Sequence, residues 1–81
     1  MKVKIKFFAL IREKIGIKEI DMEIKEGATL GMLFDKLKKN YPVLKDSSNY
    51  LLFSVNKEYA SLNSVLNEGD EIALIPPVSG G

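Results

Sequence analysis

The 81 residues include no histidine and no cysteine, and this decides where chemistry can reside. Thiol nucleophiles, Cys or Cys/His zinc sites, iron–sulfur clusters, disulfides and Ser-His-Asp or Cys-His constellations each lose a required member. The segment that still offers chemistry is the last one, Pro76-Pro77-Val78-Ser79-Gly80-Gly81. Two successive prolines stop a strand, because neither donates to a ladder, and they favour an extended, stiff backbone. Beyond them stand only small residues, and glycine lets another backbone approach closely. Such a tail can thread a narrow cleft and present its carboxylate in a partner's active site. A carboxylate is a poor electrophile until it is converted to a mixed anhydride with a nucleotide, and an unbranched glycine leaves the attack path clear. The tail then works as a covalent handle, with the domain behind it as the recognition surface. Chain ends are also commonly frayed and glycine-bearing, so the tail takes its meaning from the fold that launches it.

That fold has to be small. A domain of this length buries only about 60% of the surface its unfolded chain exposes. The composition supplies a dense core, with 46% hydrophobic and 28% charged residues. Lys2 to Phe7 alternates strictly, with Val3, Ile5 and Phe7 on one side and three lysines on the other, which predicts a half-buried strand. Glu19 to Lys25 alternates again through Ile20, Met22 and Ile24, so a hairpin through a loop around Gly16 is expected. Thr29 is a helix N-cap candidate, followed by Leu30, Leu33, Phe34, Leu37 and Tyr41 at helical spacing, and Pro42 ends the helix. Leu51 to Val55 reads as a third strand, Asn56-Lys57-Glu58 as a turn, and Tyr59 as part of a short return. Leu62, Val65 and Leu66 read as apolar plugs under a loop. Asn67 to Asp70 is a turn signal before a last strand, Glu71 to Ile75. This order predicts an α+β domain over residues 1–75, a ubiquitin-like β-grasp with a mixed four- to five-stranded sheet and one main covering helix. Residues 76–81 form an extended C-terminal tail. By analogy with that fold, the first and last strands lie side by side at the centre.

Strand parity points to a surface. If Val3, Ile5 and Phe7 face the helix, Phe8 falls on the far face unless a bulge tucks it away. Ala73 and Ile75 join it there, and Tyr59 can reach them, giving an apolar group on a charged face. Arg12 and Glu13 suit a partner's salt bridge or an ordinary loop equally well. Lys36, Lys38 and Lys39 read as the wet side of the helix. Asp70-Glu71 is turn chemistry, since two neighbouring carboxylates make a poor metal cage. Twelve basic and eleven acidic residues leave a net charge of +1, which gives no field for gathering nucleic acid or anionic membrane. No apolar run approaches the roughly 20 residues of a membrane span, and the N-terminus lacks a signal peptide's apolar block. A cytoplasmic protein without nucleic-acid or membrane partners is expected.

The sequence resembles the molybdopterin synthase small subunits, the sulfur carriers of molybdenum or tungsten cofactor biosynthesis. Phe7-Phe8-Ala9 with Arg12-Glu13 and Gly16, Val55-Asn56, Leu66 with Gly69-Asp70-Glu71-Ile72-Ala73, and the closing Pro-Pro-Val-Ser-Gly-Gly carry the resemblance. It implies that a ubiquitin-activating-like adenylyltransferase uses ATP to adenylate Gly81, with Gly80 as the slim spacer. Sulfur from a persulfide then replaces the nucleotide, and the resulting thiocarboxylate serves a large catalytic subunit that forms the dithiolene of molybdopterin. It also implies a non-catalytic subunit that binds no cofactor of its own. Both partners would dock on the sheet face and tail: Phe8, Tyr59, Ile75, Pro76, Pro77, Val78 and Ser79. Two alternatives stay open. One keeps the activated tail but delivers it to protein lysines or to tRNA thiolation; the other is a non-covalent binding module with inert glycines.

Overall fold

The computed structural model describes residues 1–47 and 50–76. Strand β1 (Lys2–Phe7) follows its alternation closely, with Val3, Ile5 and Phe7 buried and the lysines facing outward. It pairs antiparallel with β2 (Glu19–Glu23), from Lys2 opposite Glu23 to Lys6 opposite Glu19. The pairing is the expected one, but the connector is not a bare loop. A short helix, α1 (Ala9–Ile15), lies between the strands and buries Ile11. Gly16 ends it at φ 80°, donating its N–H to the Arg12 carbonyl at 2.8 Å, the left-handed stop that glycine supplies most easily.

Helix α2 (Leu30–Asn40) begins as its sequence dictates. Thr29 Oγ1 accepts from the Met32 N–H at 3.2 Å, and Leu30, Leu33, Phe34 and Leu37 are buried. Tyr41 caps the other end, and the chain continues from Pro42 as a 3₁₀ segment, Pro42–Ser47, in which Leu44 is buried. Phe34 packs edge-on against Phe53 of the sheet at 4.9 Å between centroids, the geometry aromatic quadrupoles favour.

Three further strands complete the sheet: β3 (Leu52–Val55), β4 (Glu58–Tyr59) and β5 (Glu71–Ile75), in the order β2-β1-β5-β3-β4. Strand β5 sits between β1, to which it runs parallel, and β3, to which it runs antiparallel. The first and last strands are therefore central neighbours, with α2 on one face, as expected for a β-grasp.

A second expectation fails. Leu66 is buried, but Leu62 and Val65 are exposed. The backbone explains it. Leu62 and Ser64 carbonyls accept from the N–H groups of Gly31 and Leu30 at 2.8 and 2.9 Å, Leu66 N–H reaches the Ala28 carbonyl, and Val65 bridges Thr29. This segment caps the start of α2 with its main chain, so two of its apolar side chains turn outward. A Cβ on Gly31 would meet the Leu62 oxygen at 3.2 Å, so a glycine permits the approach.

The start of β5 is held by a polar clasp. Asn56 and Lys57 adopt positive φ of 52° and 70°, as tight two-residue hairpin turns require. Asn56 Oδ1 accepts from the Glu71 N–H at 3.0 Å, and its Nδ2 donates to Asp70 Oδ1 at 2.9 Å. The other Asp70 oxygen accepts from the Asn67 N–H at 2.7 Å, and the Asp70 carbonyl accepts from Lys4 N–H at 2.9 Å. Asp70 is buried and serves turn chemistry, as its sequence position suggests. Removing one partner of a buried hydrogen bond typically costs about 1–3 kcal/mol. Asp70→Ala and Asn56→Ala are therefore each expected to lose stability in that range in urea titrations, and the double variant to lose less than their sum.

Candidate functional surface

The sheet face away from α2 is assembled by strand parity. Lys6 comes from the end of β1 and Phe8 from the residue just after it; Glu71, Ala73 and Ile75 come from β5. Register then sets Ser54 opposite Ala73, Leu52 opposite Ile75 and Tyr59 opposite Ser54. The result is an open hollow of about 370 Å³, walled by Phe8, Tyr59, Ala73 and Ile75, with Lys6, Ser54, Lys57 and Glu71 completing it. Its depth comes from small residues: Ala73 and Ser54 stand at neighbouring central positions, while Phe8 and Tyr59 rise at the sides.

Phe8, Tyr59 and Ile75 are thus brought together as their sequence positions suggest. Phe8 is not tucked into the core by a bulge. Its backbone stays extended (φ −124°, ψ 154°), which carries the alternation one residue past β1, and the break comes only at Ala9 with φ 51°. Phe8 remains 41% exposed and Tyr59 78%. Sequence reasoning missed Leu52, which is 48% exposed and lies across from Ile75. The signal was its shared parity with Ser54, readable once one member of that strand is assigned a face.

The same face is electrostatically divided. Toward β2, Lys4 pairs with Glu19 at 3.3 Å, and Lys6 pairs with Glu71 at the same distance. The hydrogen bond and charge of Glu19 hold the Lys4 ammonium above the ordinary lysine range. A raised lysine pKa means that this pair's contribution is present at neutral pH and lost only as pH climbs through the shifted value. The pairs are solvent-exposed, so they set the polar border of the face more than its stability. Arg12 and Glu13 lie on α1 and form no ion pair among the described residues.

Strand β5 ends at the apolar half of this face. Because it runs parallel to β1, Leu74 lies level with Phe7, and Ile75 precedes Pro76 at the same end as Phe8 and Leu52. Pro76 is half-buried. Pro77, Val78, Ser79, Gly80 and Gly81 lie outside the described residues. Among the described residues there is no cluster of three metal-ligating side chains and no helix long and apolar enough to cross a membrane. The hollow presents two amines, a carboxylate and a phenol around apolar walls, an arrangement suited to binding a protein surface.

A family model described as the ThiS family matches residues 5–81. The molybdopterin synthase sulfur carrier subunit of Mycobacterium tuberculosis is 37% identical over 82 residues, spanning 100% of this chain and 99% of that protein. Among solved structures, SAMP1 from Haloferax volcanii matches with a TM-score of 0.88 at 31% identity, each chain covered to 100%. A protein–protein complex of subunits 1 and 2 of the molybdopterin-converting factor from Helicobacter pylori contains a chain matching at TM-score 0.75 and 28% identity, again over 100% of both.

A charge placed in the apolar half tests this surface. Phe8→Arg, Leu52→Arg or Ile75→Arg is expected to leave the circular dichroism spectrum unchanged while weakening binding of a protein partner to this face by about 1–3 kcal/mol in calorimetric titration. Lys4→Ala, on the ionic half, is expected to change that affinity far less.

Proposed function

Since this chain belongs to the ThiS family of ubiquitin-like sulfur carriers, we propose that it is the sulfur carrier subunit of molybdopterin synthase, bearing its cargo as a thiocarboxylate on Gly81. The observation that carries this reading is the placement of β5. The strand that leads into Pro76 and the tail is held between two neighbours and ends beside an apolar docking surface. A tail launched from such a strand has a fixed root, so a partner seated on Phe8, Tyr59 and Ile75 receives the terminal glycines at a defined reach. Six residues beyond Ile75 extend at most about 20 Å, enough to enter a cleft in that partner.

The chemistry needs no acid or base from this domain. A Gly81 carboxylate oxygen attacks the α-phosphorus of ATP on an adenylyltransferase of the ubiquitin-activating kind, expelling pyrophosphate and leaving an acyl-adenylate. A persulfide sulfur attacks the acyl carbon, and AMP departs. A thiol then breaks the sulfur–sulfur bond, becoming oxidised to a disulfide, and leaves the thiocarboxylate. This anionic sulfur is already a nucleophile, which fits a chain without histidine or cysteine. In the large catalytic subunit it forms a carbon–sulfur bond to the side chain of cyclic pyranopterin monophosphate as a carbon–oxygen bond there breaks, the oxygen leaving with the phosphate or as water. Water hydrolyses the acyl–sulfur link, so each turn exchanges one carbon-bound oxygen of the pterin for sulfur and returns Gly81 as a carboxylate. Val78, Ser79 and Gly80 act as the slim stalk, and Pro76-Pro77 as its stiff base. The carrier works in the cytoplasm, where ATP supplies the activation.

A second reading has its own support. Small archaeal modifier protein 1 of Haloferax volcanii is 36% identical over 84 residues, and its name denotes a modifier. The same activated Gly81 would then be passed to a lysine amine, forming an isopeptide bond in place of the thiocarboxylate.

Intact-mass analysis of the protein from its own host separates the two. The carrier reading expects a fraction heavier by one oxygen-to-sulfur exchange, mapped to Gly81; the modifier reading expects isopeptide adducts on other proteins. Deleting Gly81 is expected to abolish sulfur transfer to the pterin while leaving the urea midpoint unchanged. Normal molybdopterin formation by the truncated chain would overturn the role given to this residue.

A further inference from the structure

On the opposite layer of the molecule, between the end of β2 and α2, lies a second hollow of about 450 Å³. Its floor is apolar: Ile24, Ala28 and Leu33 line it, and Met32 stands at its side 56% exposed. Its rim is entirely cationic, formed by Lys25, Lys36 and Lys39, and no carboxylate lines it. This contrasts with the sheet face, where Lys4 and Lys6 each have a glutamate within 3.3 Å. None of the three rim lysines forms an ion pair among the described residues. Lys38, which points to the other side of α2, is already satisfied by Asp35 at 3.4 Å and by the Phe34 ring.

Lys36 adds the decisive detail. Its ammonium donates to the Glu23 carbonyl at 2.8 Å, which fixes the side chain across the hollow without neutralising its charge. The Glu23 carboxylate turns instead toward the N-terminal ammonium, at 3.8 Å. Lysines in the last turn of a helix can be accounted for by the helix dipole, but Lys36 lies a turn earlier and Lys25 lies outside the helix. A positive rim held over an apolar floor, on a chain of net charge +1, complements a ligand with apolar side chains between anionic ones.

We propose that this hollow docks an acidic segment of a protein partner, with one or two apolar side chains seated over Ile24 and Leu33 and flanking carboxylates on Lys25, Lys36 and Lys39. A lipid surface is the poorer fit, because the site is concave and anionic membranes are gathered by larger basic clusters, of about four to eight residues. The hollow lies on the α2 side of the sheet, away from Phe8, Tyr59 and Ile75. A carrier held here keeps its tail and docking face free for a second protein. The inference is independent of what Gly81 carries.

The test uses the full isotope-labelled chain and a short end-capped peptide with a leucine–phenylalanine pair between two pairs of glutamates. Titration is expected to shift the resonances of Ile24, Ala28, Met32 and Leu33, and to leave those of Phe8, Tyr59 and Ile75 in place. The same peptide with glutamines for glutamates should bind about ten-fold more weakly, and Lys36→Glu with Lys39→Glu should have a similar effect. Lys36→Gln serves as the milder variant should the double reversal disturb folding. Equal binding of the glutamine peptide, or indifference to the lysine changes, would overturn the proposal. So would binding of the chain to vesicles containing phosphatidylserine without any response to the peptide. Deleting Gly81 should not alter the titration, so a negative result here leaves the tail chemistry untouched.

Discussion

The register of β5 is the constraint on which the rest of the structure depends. Its side chains at 72 and 74 fill the core beneath α2, while those at 71, 73 and 75 build the outer face. A slip of one residue would exchange these sets, burying Glu71 and emptying the core of Ile72 and Leu74. Parallel pairing with β1 and antiparallel pairing with β3 fix the strand from both sides. The Asn56–Asp70 clasp fixes its first residue through hydrogen bonds to both the side chain of Asp70 and the backbone of Glu71. The tail beyond Ile75 therefore departs from a point set by the whole sheet.

The outer face shows how one alternating pattern yields two kinds of surface. Where lysines of β1 meet glutamates of β2 and β5, the face is wet and self-compensated. Where Ala73 and Ser54 replace longer side chains, the sheet is shallow, and Phe8, Leu52, Tyr59 and Ile75 stand around the depression. Neutralised charges at the border cost a partner little specificity elsewhere, while the apolar half supplies area whose burial is worth roughly 25 cal/mol per Å². The helix-side hollow reverses the logic, because its cations lack acidic counterparts among the described residues.

Most of this architecture was legible from periodicity. Val3, Ile5 and Phe7 announce β1, Thr29 and Pro42 bracket α2, and the run from Leu30 to Leu37 identifies its buried stripe. Helix α1 was not legible, because seven residues give only Ile11 and Ile15 at helical spacing, and Phe7-Phe8 blurs the boundary before it. Leu62 and Val65 misled for a different reason. Their segment spends its backbone on capping α2, and hydropathy does not register main-chain pairing. Of the candidate surface, Phe8 and Ile75 followed from parity alone, but Leu52 required the register with β5, a non-local fact. The chemistry proposed for the tail rests on residue types alone, since glycine and proline act through the backbone wherever they stand.

The central pairing of β1 with β5 joins the first and last of the described elements, with the others between them in sequence. Of the strands of this sheet, the ribosome releases β1 first and β5 last. The nascent chain waits with an open seam in its sheet, since β1 and β3 lack the strand that lies between them. Closure of that seam completes the core, because Ile72 and Leu74 of β5 are fully buried within it. The sheet therefore closes on the same strand from which the tail departs.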